Sequence, residues 1–189
     1  MSYFPAFLKL ENKKILIVGG GVIAYQKLKH LLDFTSEISV IALEFSEDMQ
    51  KAIDDNGLHF EKRGYSKGDI EGFAIVIVAI DDIPLQAEIF KDSREHGSLC
   101  NAVDSVEYCD FIFPSYLKND DLTIAISTSG ASPAVAKHLK RYLQEVIPSD
   151  ISVFLQEMRE LRETLPKGRE RMNMLDKKAE EYIKRWRRR

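Results

Sequence analysis

Through its first hundred residues the chain alternates short apolar runs with stretches whose apolar positions recur every three or four residues. The runs predict strands at residues 14–18, 38–42, 57–62, 74–79 and 99–103. Residues 74–79 are apolar throughout, the pattern of a central parallel strand covered on both faces. The stretches between predict helices from Val22 to about Phe34, from Ser46 to Asn56 and from about Pro84 to Glu95. The first has a partly apolar face of Ile23, Lys27, His30, Leu31 and Phe34. Ser46 suits an N-cap of the second, and Pro84 suits the first turn of the third. Alternation of strand and helix of this kind implies an α/β, Rossmann-type parallel sheet with helices on both faces.

The rhythm changes after Asp104. Residues 111–116 and 122–127 predict two strands, joined by the polar turn Leu117-Lys118-Asn119-Asp120-Asp121 as a hairpin. Ser132 and Pro133 then open a helix that runs to about Val146 and stops before Pro148. Ser149 or Asp150 offers the next cap, for a helix from Ile151 to about Leu165. Pro166-Lys167-Gly168 breaks it, and a last helix covers roughly Arg169 to Arg187.

The first strand runs into Gly19-Gly20-Gly21-Val22-Ile23-Ala24, a G-x-G-x-x-A pattern. Gly19 permits the tight turn, Gly21 lets backbone amides approach a pyrophosphate, and Ala24 lets helix and strand pack closely. The second strand ends in Leu43-Glu44. An acid there accepts hydrogen bonds from the ribose hydroxyls of NAD and repels the 2′-phosphate of NADP. Ligands of open parallel sheets lie beyond the carboxyl ends of the strands. That rule adds Ile80-Asp81-Asp82 and Asn101-Ala102-Val103-Asp104 to the candidate site. Asp104 reads two ways, as a carboxylate that takes the proton released on substrate oxidation, or as a turn cap. Asp81-Asp82 reads as loop capping ahead of catalysis. The hydroxyl-rich loop Ser127-Thr128-Ser129-Gly130-Ala131-Ser132-Pro133 is either an anion site at a helix start or an ordinary capped loop.

Composition narrows the class. With 189 residues, 44% hydrophobic and 30% charged, the chain can bury one good core and a smaller appendage. No apolar run reaches the length of a membrane span, and the first ten residues lack a leader pattern, so the expected compartment is the cytoplasm, with no membrane partner. Cys100 and Cys109 match no common metal or redox spacing and read as small buried apolar residues. The four histidines make no i,i+4 metal pair, so no metal site is expected. Residues 166–189 carry 10 basic and 4 acidic side chains against an overall charge of −3. This basic end reads either as an attractor of anions or as a solvated helix end whose cations suit the dipole. No basic patch is interleaved with aromatics, so no nucleic-acid partner is expected.

The motif order carries a resemblance. Phe4-Pro5, the turn from Val18 to Ala24 followed by Lys27, and Ala79-Ile80-Asp81-Asp82 come first. Cys100-Asn101-Ala102-Val103-Asp104, Phe111-Ile112-Phe113-Pro114-Ser115 and the 127–133 loop complete it. Together they resemble the precorrin-2 dehydrogenase family, the dehydrogenase and ferrochelatase module of siroheme synthase, over nearly the whole chain. The resemblance implies an NAD-binding Rossmann domain over residues 1–113, a small α+β dimerisation region over 114–147 and a helical C-terminal region over 148–189. It implies an intertwined homodimer that oxidises precorrin-2 to sirohydrochlorin with NAD, with Fe²⁺ as a further substrate in members that go on to siroheme. It places catalysis at Asp104 and the cofactor at Gly19, Gly21, Val22, Ile23, Ala24, Leu43, Glu44, Ile80 and Asp81. Substrate contacts are expected at Asn101, Ser127, Thr128, Ser129 and Lys137, with Lys140 and Arg141 as further cations for an anionic tetrapyrrole. Two departures stand out: Thr128 replaces a serine that is phosphorylated in some members, and Ile80 replaces a threonine. The competing expectation is an NAD-sensing regulatory module without catalysis, which leaves Asp104 and the 127–133 loop without a role.

Overall fold

The structure, a computed structural model, describes residues 3–186. It divides into two compact units that meet in sequence between Ile112 and Phe113. The first unit is built on five parallel strands: β1 (Ile15–Val18), β2 (Ile38–Ala42), β3 (His59–Lys62), β4 (Ile75–Val78) and β5 (Leu99–Ala102). Their order is β3-β2-β1-β4-β5, so β1 lies at the centre with Ile15 opposite both Ile38 and Ile75. Every residue of β1 and β4 is buried, which is why these strands read as unbroken apolar runs and do not alternate. The edge strand β3 is largely exposed and correspondingly polar.

Helices α1 (Val22–Leu32), α2 (Glu47–Asn56) and α3 (Ile83–His96) connect the strands. Ser46 caps α2 by accepting from the Met49 amide at 3.3 Å, and Gly57 closes it in the left-handed conformation. Asp82 caps α3, accepting from the Leu85 amide at 3.0 Å. Ala24, Leu28 and Leu31 form the buried stripe of α1. One core cluster joins Leu16, Val18, Ile41, Val76, Val78 and Ile89 to Cys100 and Ala102, with Ile80 and Tyr108 packed against it.

The second unit contains the hairpin β6 (Ser115–Asn119) and β7 (Leu122–Ile126), then α4 (Pro133–Val146), α5 (Ile151–Thr164) and α6 (Arg169–Trp186). Its first strand corrects the expectation of a strand over 111–116. Pro114 has no N–H to give to a ladder, and pairing begins only after it, at Ser115 opposite Ile126. The turn is correspondingly tighter, Asp120-Asp121, with Asp120 at φ 47°. Asp150 occupies the N-cap position of α5 but caps no amide; its carboxylate accepts from the Tyr182 hydroxyl of α6 at 2.9 Å. Tyr182 stacks on Phe154 with ring centroids 4.0 Å apart, and that pair joins α5 to α6. In the basic end, Lys184 pairs with Glu180 at 2.6 Å, while Arg187, Arg188 and Arg189 lie outside the described residues. No helix among the described residues is long and apolar enough to cross a membrane.

Candidate functional site

The glycine turn stands where the central strand β1 ends, and its three glycines do different things. Gly19 has φ 126°, and a Cβ there would lie 2.2 Å from the Ala79 carbonyl oxygen. Only glycine fits, because the turn must pass directly over the end of β4. At Gly20 a Cβ would lie 2.1 Å from the Glu44 carbonyl oxygen, and the Gly20 carbonyl accepts from the Ser46 amide at 2.9 Å. This second glycine, which the motif treats as a free position, lets the loop after β2 close onto the turn. Glu44 is thereby brought to the same edge of the sheet. At Gly21 a Cβ would meet nothing within 4 Å.

Gly21 is also the N-cap of α1, and it supplies no side-chain cap. The amides of the first turn of α1 therefore have no intrahelical acceptor and no capping oxygen, at the positive end of the helix dipole. Open space at Gly21 beside unsatisfied amides fits the pyrophosphate of a dinucleotide. Ala24 is fully buried, as close helix–strand packing requires. Val22 is 62% exposed, Leu43 71% and Ile83 50%, so apolar side chains border this edge without belonging to the core. Such side chains offer surface to the flat faces of a dinucleotide. Glu44 and Asp81 are both exposed.

Asp104 follows β5 at the same end of the sheet, in the left-handed conformation at φ 61°. A non-glycine residue in that region is uncommon and is a marker of functional segments. Its side chain is exposed and caps no turn by any hydrogen bond among the described residues. The segment behind it is firmly tied. The Ser105 amide donates to Ala102, the Cys109 thiol donates to the Ala102 carbonyl at 3.0 Å, and the Asp110 carboxylate accepts from the Cys100 amide at 2.7 Å. Arg94 of α3 forms an ion pair with Asp110 from outside.

Asn101 departs from its expected role. It is 6% exposed, and its amide donates to the Phe111 carbonyl at 2.7 Å, so this side chain holds the returning chain against β5 and does not face a substrate. Cys100 is fully buried, and burial pushes its thiol up to about 12. Cys109 is half-buried, and its thiol is likewise raised by burial, so neither sulfur is a nucleophile.

Two residues gain roles that the sequence reading left unassigned. Lys27, one turn along α1 from Ala24, is half-buried; burial pulls its ammonium below the ordinary lysine range, against the opposing pull of Cys109 and Asp104. A cation is thus placed in the electrostatic neighbourhood of Asp104. Gln86 of α3 is 2% exposed and donates to the carbonyls of Ile80 at 2.8 Å and Val103 at 3.3 Å. It shares the buried face of α3 with Ile89, Asp92 and Ser93.

In the second unit the 127–133 loop is ordered by its own hydroxyls. Thr128 Oγ1 accepts from the Ser132 amide and donates to its carbonyl, each at 3.1 Å. Ser127 accepts from the Ser129 amide at 3.0 Å, and Ser132 caps α4 by accepting from Val135 at 3.3 Å. Ser129 stands at φ 51° and Gly130 at φ 84°. Ser127 and Ser129 are exposed, as are Lys137 and Arg141 along the same helix. Lys140 lies over the Tyr116 ring at 5.5 Å.

Comparison with known proteins agrees with this geometry. The family model described as "Putative NAD(P)-binding" matches residues 6–115, and the one described as "Sirohaem biosynthesis protein central" matches residues 119–145. The chain is 34% identical over 184 residues to the siroheme synthase of Methylococcus capsulatus, which covers 95% of this chain and 39% of that protein. It is 34% identical over 149 residues to the siroheme synthase of Azotobacter vinelandii, covering 79% of this chain and 32% of that protein. The chain thus spans less than two-fifths of the length of these relatives. The solved structure of SirC, precorrin-2 dehydrogenase, matches with a TM-score of 0.73 at 23% identity, over 99% of this chain and 100% of that one, and so shares its fold. With an open-ended α1, a glycine turn that excludes any Cβ at two positions and a family model covering more than half its length, the chain belongs to this NAD(P)-binding family.

Proposed function

We propose that this protein is an NAD-dependent dehydrogenase that oxidises precorrin-2 to sirohydrochlorin in siroheme biosynthesis. The observation that carries the reading is the position of Asp104, a carboxylate in a left-handed turn at the same sheet edge as the open glycine turn. The match to the sirohaem central model over residues 119–145 and the siroheme synthase relatives support the choice of substrate. Oxidation removes a hydride and a proton from the reduced macrocycle. Bound NAD supplies the hydride acceptor. The Asp104 carboxylate takes the proton. The open amides of α1 hold the pyrophosphate, and Glu44 accepts from the ribose hydroxyls and selects NAD over NADP. Exposed Ser127 and Ser129 and the cations Lys137 and Arg141 suit the many carboxylates of a tetrapyrrole. The same aspartate suits insertion of Fe²⁺ as a second substrate, because metal insertion also strips protons from pyrrole nitrogens.

The proposed assembly is a homodimer. Val135, Leu139, Tyr142 and Val146 are all exposed and recur at spacings of four, three and four along α4, a continuous apolar seam. A second copy presenting the same seam is the occupant that the family resemblance favours. Leu139→Asp should convert the dimer to a monomer in sedimentation equilibrium, and a monomeric parent protein would refute the assembly.

The test of function is turnover. With precorrin-2 and NAD, sirohydrochlorin absorbance and NADH should rise together in equal amounts. Tight NAD binding with no turnover favours the competing reading, a regulatory NAD sensor. Adding Fe²⁺ after the first step tests whether siroheme follows.

A further inference from the structure

Gln86 occupies a position in α3 that an apolar residue would fill at lower cost. It is 2% exposed, and its Oε1 is buried with no hydrogen-bond partner in the protein. Leaving a buried amide oxygen unpaired is destabilising, so the residue is retained for its other end. The Nε2 group has two hydrogens, and it lies 2.8 Å from the Ile80 carbonyl and 3.3 Å from the Val103 carbonyl. Those carbonyls belong to the two loops that leave β4 and β5. The regular ladder between these strands is nearly finished there, its last bond running from the Val103 amide to the Val78 carbonyl. Beyond that bond the two loops lose their backbone coupling. Ile80 precedes Asp81 and Val103 precedes Asp104, so the span between a cofactor-facing loop and the proposed proton acceptor is set at this bridge.

We propose that Gln86 is a positioning residue, a clamp that fixes Asp104 relative to the loop after β4 through its two carbonyl contacts. This rests on the dehydrogenase reading, because the distance it controls matters only if Asp104 takes a proton while a hydride leaves for NAD. Catalysis is sensitive to such spacing, since misplacement by about 1 Å can cost roughly a hundredfold in rate.

The experiment uses Gln86→Met, which keeps length and removes both donors, beside Gln86→Glu, which keeps shape and turns an acceptor toward two carbonyls. Two readouts are taken on the full-length protein. In turnover of precorrin-2 at saturating NAD, kcat should fall at least tenfold in Gln86→Met and further in Gln86→Glu, with the Kd for NAD held within twofold. In amide hydrogen exchange, Val103 and Ser105, whose amides donate to the Val78 and Ala102 carbonyls, should exchange at least tenfold faster in Gln86→Met, while amides of β1 and β2 keep their protection. Unchanged exchange at Val103 and Ser105 overturns the clamp whatever the activity. Faster exchange with unchanged kcat also overturns it, because the bridge would then be structural only. If the parent protein does not turn over precorrin-2, the dehydrogenase reading fails, and with it the positioning role, while the exchange data still report whether the two carbonyl contacts hold the loop.

Discussion

Helices α1 and α4 both begin at the end of a strand, both follow a loop rich in small residues, and both looked from the sequence like places to bind an anion. The structure separates them. At α1 the N-cap is Gly21, which offers no side-chain acceptor, and the space beside it is open. At α4 the N-cap is Ser132, whose hydroxyl already accepts from Val135, and Thr128 already satisfies the Ser132 amide. The first terminus has no side-chain cap, while at the second the Ser132 and Val135 amides are satisfied by the chain itself. Helix start alone therefore does not identify an anion site; at α1 the missing side-chain cap comes together with open space at Gly21. At α4 the Ser132 and Val135 amides are already committed, and the exposed groups around the loop are the Ser127 and Ser129 hydroxyls and the Lys137 and Arg141 cations.

Substitutions at the two caps break or sharpen this contrast. Gly21→Asp supplies α1 with a cap and places a negative charge where the pyrophosphate belongs. Affinity for NAD should fall by about 2 kcal/mol, roughly thirtyfold, with thermal stability equal to or above that of the parent. Calorimetric titration checks it, and NAD binding at full strength would remove the turn from the cofactor site. Glu44→Ala acts at the edge of the same site. It should weaken NAD by about 1.5 kcal/mol, roughly tenfold, and leave NADP nearly unaffected, so that the preference between them narrows. Parallel titrations with both dinucleotides measure this, and equal losses for the two would defeat the ribose assignment. Ser132→Ala, in the other unit, removes a cap that is internally satisfied. It should cost about 1 kcal/mol of stability, read by denaturant unfolding, and leave NAD affinity unchanged. A drop in NAD affinity there would erase the distinction between the two termini.

Much of this was legible in the sequence, for physical reasons that differ from place to place. β1 and β4 were plain because burial on both faces demands unbroken apolar runs. The cap assignments at Ser46 and Ser132 rest on local chemistry between residues three apart, and local chemistry is what a sequence displays. The strand expected over 111–116 failed because Phe111, Ile112 and Phe113 are apolar like a strand, yet Pro114 stops the ladder and the segment is held by the Asn101 amide. Asn101 itself was misread for the complementary reason: a polar residue at a strand end looks exposed until the chain that folds back over it is seen. Gly20 and Gln86 were missed because their roles depend on atoms more than five residues away. The Glu44 carbonyl comes against Gly20, and the Val103 carbonyl against Gln86, only when the strands assemble.

The central claim is that a dinucleotide site and a proton acceptor share one sheet edge but are separable. Asp104→Ala tests it most directly, with NAD titration and precorrin-2 turnover measured on the same preparation. The account predicts NAD affinity within about twofold of the parent and loss of at least roughly a hundredfold in NADH formation, the scale of a missing general base. Turnover at the parent rate in that variant would contradict it.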